Sequence, residues 1–267
     1  MSYLEPAAES LLAFWRDAGV VDSFEDAPQN RLTETEIRRR ATAPPPGAPA
    51  GRRPLPALTV DVAEATVAAR EAALAADSLE ALAEAVAAFQ GSSLRTGARS
   101  TVFARGNFAP EAVVIGEAPG GQEDGQGLPF VGPAGRLLDK ALAAAGLEGR
   151  VLITNTVFWR PPGDRNPSSL EQAVCAPFLD RLITLASPKV LLLLGAASAK
   201  SVLKQEGGIL SLRGRWFEHV SDDGATRTPA LPTLHPAFLL RQPQAKKMFW
   251  NDLLSISGRF ESSVPGP

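Results

Sequence analysis

An α/β fold in three layers, with helices on both sides of a central, mostly parallel four-stranded sheet and a helical N-terminal appendage, is the fold class this sequence predicts. Three observations predict it. Four short, continuous apolar runs, AVVIG from 112, VLITN from 151, KVLLLLG from 189 and PALPTLH from 229, lack the alternation of half-exposed strands and read as strands covered on both faces. Helical patterns separate these runs, which is the order of parallel crossovers. Each run also leads into a polar or glycine residue: Glu117, Asn155, Gly195 and His235. In open α/β sheets ligands bind at the carboxyl ends of the strands, so four segments far apart in sequence are expected to meet at one pocket.

The elements follow in chain order. Residues 5–18 suit a short amphipathic helix through Leu11, Leu12, Phe14 and Trp15, and residues 41–59, ATAPPPGAPAGRRPLPALT, are too rich in Pro, Gly and Ala to pack. The chain therefore divides into an N-terminal helix and linker, 1–59, and an α/β domain, 60–260. The alanine-rich lead-in from Val60 to Phe89 forms one or two helices, with a break near Asp77, a residue suited to capping the second. Pro133 opens a helix over 133–145 and Gly146 stops it. Further helices are predicted at 168–186, 196–204 and 244–256.

Composition limits the function classes. With 267 residues, 45% of them hydrophobic, the chain can bury one good core and carry an appendage. No apolar run reaches about 18 residues and the N-terminus lacks the basic-then-apolar order of a signal peptide, so a soluble, cytoplasmic protein with no membrane partner is expected. One cysteine, Cys175, excludes an internal disulfide and an all-cysteine metal site; with only His219 and His235 besides, no ordinary zinc site is expected. The net charge of −2 is unevenly spread. Residues 1–89 carry 8 Lys/Arg against 14 Asp/Glu, whereas residues 90–260 carry 19 against 14, a mildly basic part compatible with a local phosphate-contacting face.

Between the first strand and the helix at 133 lies GEAPGGQEDGQGLPFVGPAG, residues 116–135. A glycine-rich turn in that place suggests a phosphate cradle. The chemistry disagrees: there is no P-loop lysine and no GxGxxG spacing, and Glu117, Glu123 and Asp124 would repel a phosphate. Acids here suit a neutral ligand, or a cation that forms during reaction.

This motif, TNTVFWRPPGDRNP at 154–167 and LPTLHPAFLLRQP at 231–243 occur in this order at predicted strand ends. In these residues the chain resembles the family-four uracil-DNA glycosylases over roughly residues 89–256. The resemblance implies excision of uracil: the nucleotide is extruded into a snug pocket, its edge is read by hydrogen bonds, and the N-glycosidic bond breaks as positive charge grows on the sugar and negative charge on the base. It also implies uracil-containing DNA as substrate, abasic-site DNA as product, and a monomer.

Roles carry over residue by residue. Asn155 is expected to read the base, its amide oxygen accepting from N3–H and its NH₂ donating to O4, a pattern cytosine leaves unpaired. The plain alternative is a strand-end asparagine bonded to nearby backbone. His235, in the HP motif, is similar to the histidine that donates to uracil O2 as charge builds there; the alternative is a histidine bonded within an ordered loop, as expected for His219. Phe130 resembles the aromatic on which the flipped base stacks, with core packing as the alternative. Gly116 and Ala118 of the same motif line the base in this reading. Superfamily members with GQDPY place an aspartate where this chain has Ala118, so Glu123 is favoured for positioning water or stabilising the cation, and Glu117 for shaping the pocket beside uracil C5. Asp124 and Gln126 read as solvated turn residues. Leu239, four residues past His235, falls where the superfamily places an apolar wedge, or else packs on the last helix. Arg241, Lys246 and Lys247, with Arg160 and Arg165 of the second motif, are the cations for phosphates.

Two other readings stay open: a binder of abasic or uracil-containing DNA without turnover, and a glycosylase for hypoxanthine or xanthine. The chain also departs from the family in one respect. Family-four members carry four cysteines for a [4Fe–4S] cluster, and the aligned positions here are Phe89, Ser92, Trp159 and Cys175. Three thiolates are missing, so no cofactor is expected, and Phe89 and Trp159 are expected to fill the volume with an apolar plug.

Overall fold

A computed structural model describes residues 61–261; the expected helix at 5–18 and linker at 41–59 lie outside the described residues. The lead-in is two helices, α1 (Val62–Ala75) and α2 (Leu79–Ala88). Asp61 caps α1 through bonds from the Ala63 and Glu64 amides. The break falls where expected, but Ser78 rather than Asp77 caps α2. Its hydroxyl accepts from the Ala81 amide, three residues on, the reach that an N-cap oxygen has.

Six strands form one sheet: β1 (Ala104–Gly106), β2 (Ala112–Gly116), β3 (Val151–Asn155), β4 (Val190–Leu194), β5 (Phe217–Val220) and β6 (Arg227–Thr233), in the order β1-β3-β2-β4-β6-β5. The central β3-β2-β4-β6 set is parallel and comprises the four expected strands. The four-stranded expectation is corrected by β1 and β5, antiparallel edges added at either side. Neither carries an apolar run: β1 is three residues long, and β5 alternates half-buried with exposed positions, as edges do. His219, expected at the surface, lies on β5 with its side chain 11% exposed and Nε2 3.4 Å from Asp180.

Successive residues of the central strands enter opposite cores. Val113, Ile115, Leu152, Leu191 and Leu193 pack with α1, α2, α5 (Ser169–Ala186) and α6 (Gly195–Leu203). Val114, Val151, Ile153, Leu192 and Leu194 pack with α4 (Pro133–Ala144), α8 (Pro236–Arg241) and α9 (Lys246–Glu261). This is why the runs are apolar throughout.

Helix ends match their sequence signals. Gly146, at φ +69°, ends α4, with its amide bonded to the Ala143 carbonyl and that of Leu147 to Leu142. Ser168 and Glu171 form a capping box on α5. Three short helices, α3 (Gly121–Gln126), α7 (Ile209–Leu212) and α8, were not legible as periodic patterns because none exceeds six residues. No helix among the described residues is long and apolar enough to cross a membrane.

Candidate active site

The parallel register sets Gly116 opposite Asn155 at the carboxyl ends of β2 and β3. Thr156 ties those ends together, its amide donating to the Gly116 carbonyl at 3.0 Å and its hydroxyl to the Glu117 carbonyl at 2.6 Å. A Cβ on Gly116 would overlap both the Phe130 ring and the Asn155 side-chain oxygen. Only glycine leaves room for those two groups to meet over the strand end. Asn155 is 1% exposed, yet neither Oδ1 nor Nδ2 has a hydrogen-bond partner. The bond to nearby backbone that the local-turn alternative calls for is not among its contacts, and a buried amide without partners costs about 1–3 kcal/mol per unsatisfied group.

Phe130 is buried and holds a left-handed backbone at φ +55°. For an aromatic residue this costs on the order of 1–3 kcal/mol and persists only where surroundings enforce it. Gly135 is one enforcing feature, because any Cβ there would collide with the Phe130 carbonyl. The His235 ring lies 5.7 Å from that of Phe130, centroid to centroid. His235 Nδ1 accepts from the Ala237 amide at 3.2 Å. Burial, and secondarily the charge of Arg241, holds the imidazole pKa down at about 4. The strand delivering His235 is braced by a buried network in which Thr233 donates to Asp252 and Arg213 bonds both oxygens of that carboxylate.

The acids separate by their partners. Glu117 is partly buried with Oε1 unpartnered, and desolvation raises its pKa. Glu123 points one oxygen at backbone: Oε1 accepts from the Val131 amide at 3.0 Å and the Gly132 amide at 2.9 Å, at the entry to α4. Its Oε2 lies beside Gly120. Asp124 is not a solvated turn residue; it is 2% exposed and accepts from the Arg99 and Ser100 amides at 2.8 and 3.2 Å. Ala118 is half-buried and packs on the core of the α1 and α2 face.

Leu239 takes the inward-packing alternative to the wedge. It is 1% exposed, part of the buried core that also holds residues of α4 and α9, because α8 turns it inward. Its neighbour Leu240 is 47% exposed on the same helix. Arg241 and Lys246 are exposed. Arg160 and Arg165 are committed to carboxylates, Asp164 at 2.7 Å and Glu171 at 2.6 Å. Arg105, Asp124, Thr156 and Asp252 were missed by sequence reasoning. Arg105 gives no signal in a three-residue edge strand; Asp124 was misjudged because the turn around it is a helix that points it inward.

At the four positions aligned with cluster cysteines the donors do not fit a [4Fe–4S] group. Cys175 is fully buried, its thiol pushed up to about 12 by desolvation. Trp159 shares its apolar cluster, Phe89 packs on that cluster, and the buried Ser92 hydroxyl has no partner. One thiol cannot supply the roughly four thiolates that such clusters use. Instead Phe158 stands edge-on to both Trp159 and Phe178, and Phe178 edge-on to Phe89, centroids 5.1 to 6.4 Å apart. The expected apolar filling is what the described residues form. Among them no group of three or more His, Cys, Asp or Glu could hold a metal ion.

Comparison with known proteins gives a consistent picture. Residues 103–254 match the profile of the uracil DNA glycosylase superfamily. The chain is 36% identical over 186 residues to the type-4 uracil-DNA glycosylase of Sulfurisphaera tokodaii, covering 67% of this chain and 84% of that protein. It is 35% identical over 170 residues to the type-4 enzyme of Pyrobaculum aerophilum, covering 60% and 83%. Against the type-4 enzyme of Thermotoga maritima it is 34% identical over 165 residues, covering 61% and 83%.

Proposed function

Because the chain belongs to the uracil-DNA glycosylase superfamily, we propose that it is a cytoplasmic DNA-repair glycosylase that holds deoxyuridine flipped out of DNA and hydrolyses its N-glycosidic bond. Water supplies a hydroxyl to C1′ and a proton to the departing base, leaving free uracil and an abasic site. The observation that carries this reading is Asn155, a fully buried amide whose donor and acceptor have no partner among the described residues. A ligand that offers one acceptor beside one donor satisfies it, and the O4 and N3–H edge of uracil is such a ligand. Cytosine offers the opposite pair and would meet the amide only if that side chain turned over.

The remaining groups divide the work. Phe130 presents a ring on which the base stacks. The neutral His235 donates from Nε2 to uracil O2 as the bond breaks, a fixed dipole that strengthens against the transition state. Glu117 lies at the base edge, where burial keeps water away. Glu123 faces the sugar with Oε2 while Oε1 anchors the turn after Phe130. Arg241 and Lys246 contact phosphates, joined by Arg160 and Arg165 when DNA competes with their carboxylates.

A panel of end-labelled oligonucleotides carrying U, T, hypoxanthine or an abasic site tests the reading. Among the strands that carry a base, enzyme-dependent alkali cleavage at U alone is the expected result; the abasic strand, which alkali cleaves without enzyme, serves the gel shift. A gel shift with U or abasic DNA and no cleavage would replace the enzyme with a lesion binder, and cleavage at hypoxanthine would widen the substrate class to purines.

A further inference from the structure

Phe130 keeps its left-handed backbone because charged groups grip both sides of its turn. On one side Glu123 accepts from the amides of Val131 and Gly132. On the other, Arg105 of β1 donates from Nε to the Pro129 carbonyl at 2.7 Å and from Nη2 to the Phe130 carbonyl at 3.1 Å. Nη2 also reaches Asp139 of α4 at 2.7 Å, and the Arg105 side chain is 23% exposed. A guanidinium is suited to this task, since its planar fork holds two carbonyls in one fixed relation, which an ammonium does not do.

We propose that Arg105 is a positioning residue for base stacking: by bonding the two carbonyls before and at Phe130 it sets the height and tilt of the ring against Asn155 and His235. The proposal rests on the reading of Phe130 as the platform for the flipped base. The two carbonyls lie before and at the αL residue, whose ring is closely limited by Gly116 and whose backbone by Gly135. If the grip is lost, the turn relaxes toward ordinary dihedrals and the ring leaves the position that faces Asn155. Affinity for undamaged DNA does not depend on that ring, because phosphate contacts dominate it.

The test is a double-mutant cycle on single-turnover excision, with Arg105→Met, Phe130→Leu and the double variant. Arg105→Met should slow excision about 10- to 100-fold, the scale of misplaced reacting groups. Free uracil should inhibit it about 10-fold more weakly, as expected when one stacking contact is impaired. Binding to undamaged duplex should be unchanged. Phe130→Leu should slow excision too, and adding Arg105→Met to it should cost less than about 2-fold more, because the second change acts through a ring already removed. Asp139→Asn, which leaves both carbonyl bonds, should stay within about 2-fold of wild type. If Arg105→Met does not fold, Arg105→Gln carries the same expectations. Multiplying losses in the double variant, or a wild-type rate for Arg105→Met beside a slow Phe130→Leu, would overturn the positioning role alone. A wild-type rate for Phe130→Leu would instead remove the platform reading, and the proposal with it.

Discussion

The backbone amide of Ala237 donates to Nδ1 of His235, and that one bond decides what the imidazole offers the pocket. An amide can only donate, so Nδ1 must accept, and in the neutral ring the proton then sits on Nε2. With burial holding the pKa at about 4, the ring is a neutral donor across the working pH range.

His235→Ala should therefore slow single-turnover excision about 10²- to 10³-fold, with DNA affinity little changed. Equal losses of rate and affinity would mark a structural histidine. Stability supplies a second check. The folded ring binds its proton at about 4, whereas the unfolded chain binds it near pH 6.5. Between those values the unfolded state holds more protons, so stability is full above about 6.5 and falls as pH drops toward about 4. His235→Gln should flatten that limb of a plot of melting temperature against pH, and an unaltered slope would place the acid sensitivity elsewhere.

Asn155 predicts opposite effects on activity and stability. Asn155→Ala should abolish excision, while the free protein melts no lower than wild type, because two unsatisfied buried groups are removed along with the contacts of the side chain. Asn155→Asp should relax discrimination against cytosine, since a protonated carboxyl or a reoriented acceptor can meet the 4-amino group. A clear drop in melting temperature for Asn155→Ala would mean that its amide is bonded in the free protein.

Where the sequence was legible, the physical cause is visible. The four parallel strands could be read because burial on both faces demands unbroken apolar runs, and the polar residues that follow them, Glu117, Asn155 and His235, mark their carboxyl ends. The edges β1 and β5 could not, since Ala104–Gly106 is too short to show a pattern and β5 alternates weakly. Motif spacing named Phe130 but not its left-handed backbone, nor the grip of Arg105, because contacts between a strand and a turn 24 residues away leave no local trace. The same limit hid the inward direction of Asp124 and left that of Leu239 open, since both are set by the helices they sit on.

A wedge on α8 requires an exposed apolar side chain, and Leu240 is 47% exposed where Leu239 is 1%. Leu240→Ala should weaken excision from duplex more than from single-stranded DNA, because a wedge is needed only where a stack must be opened, and should leave stability nearly unchanged. Leu239→Ala should do the reverse, costing about 2–5 kcal/mol in denaturant unfolding as buried leucines do. Identical behaviour on the two DNA forms for Leu240→Ala would remove the wedge from α8.

Trp159 tests how this chain holds the second-motif loop without a cluster. Its ring is 1% exposed, stands edge-on to Phe158, and donates Nε1–H to Thr101 Oγ1 at 3.0 Å, linking the segment before β1 to the segment before the RPPGDRNP loop. Asp124 binds the amides of Arg99 and Ser100 in that same first segment. Packing and partly buried hydrogen bonds thus join the parts that carry Arg160 and Arg165, and Cys175 adds a buried thiol bonded to the Phe158 backbone. Trp159→Ala should cost roughly 3–5 kcal/mol by the usual scale for aromatic truncation in a core. Trp159→Phe keeps most of the volume and loses the hydrogen bond, so it should cost nearer 1 kcal/mol. The protein as purified should contain no stoichiometric iron, and chelator treatment should leave both melting temperature and uracil excision unchanged. About four irons per chain would show that ligands come from outside this residue set, and a Trp159→Ala variant as stable as wild type would show that the loop is held by something other than the plug.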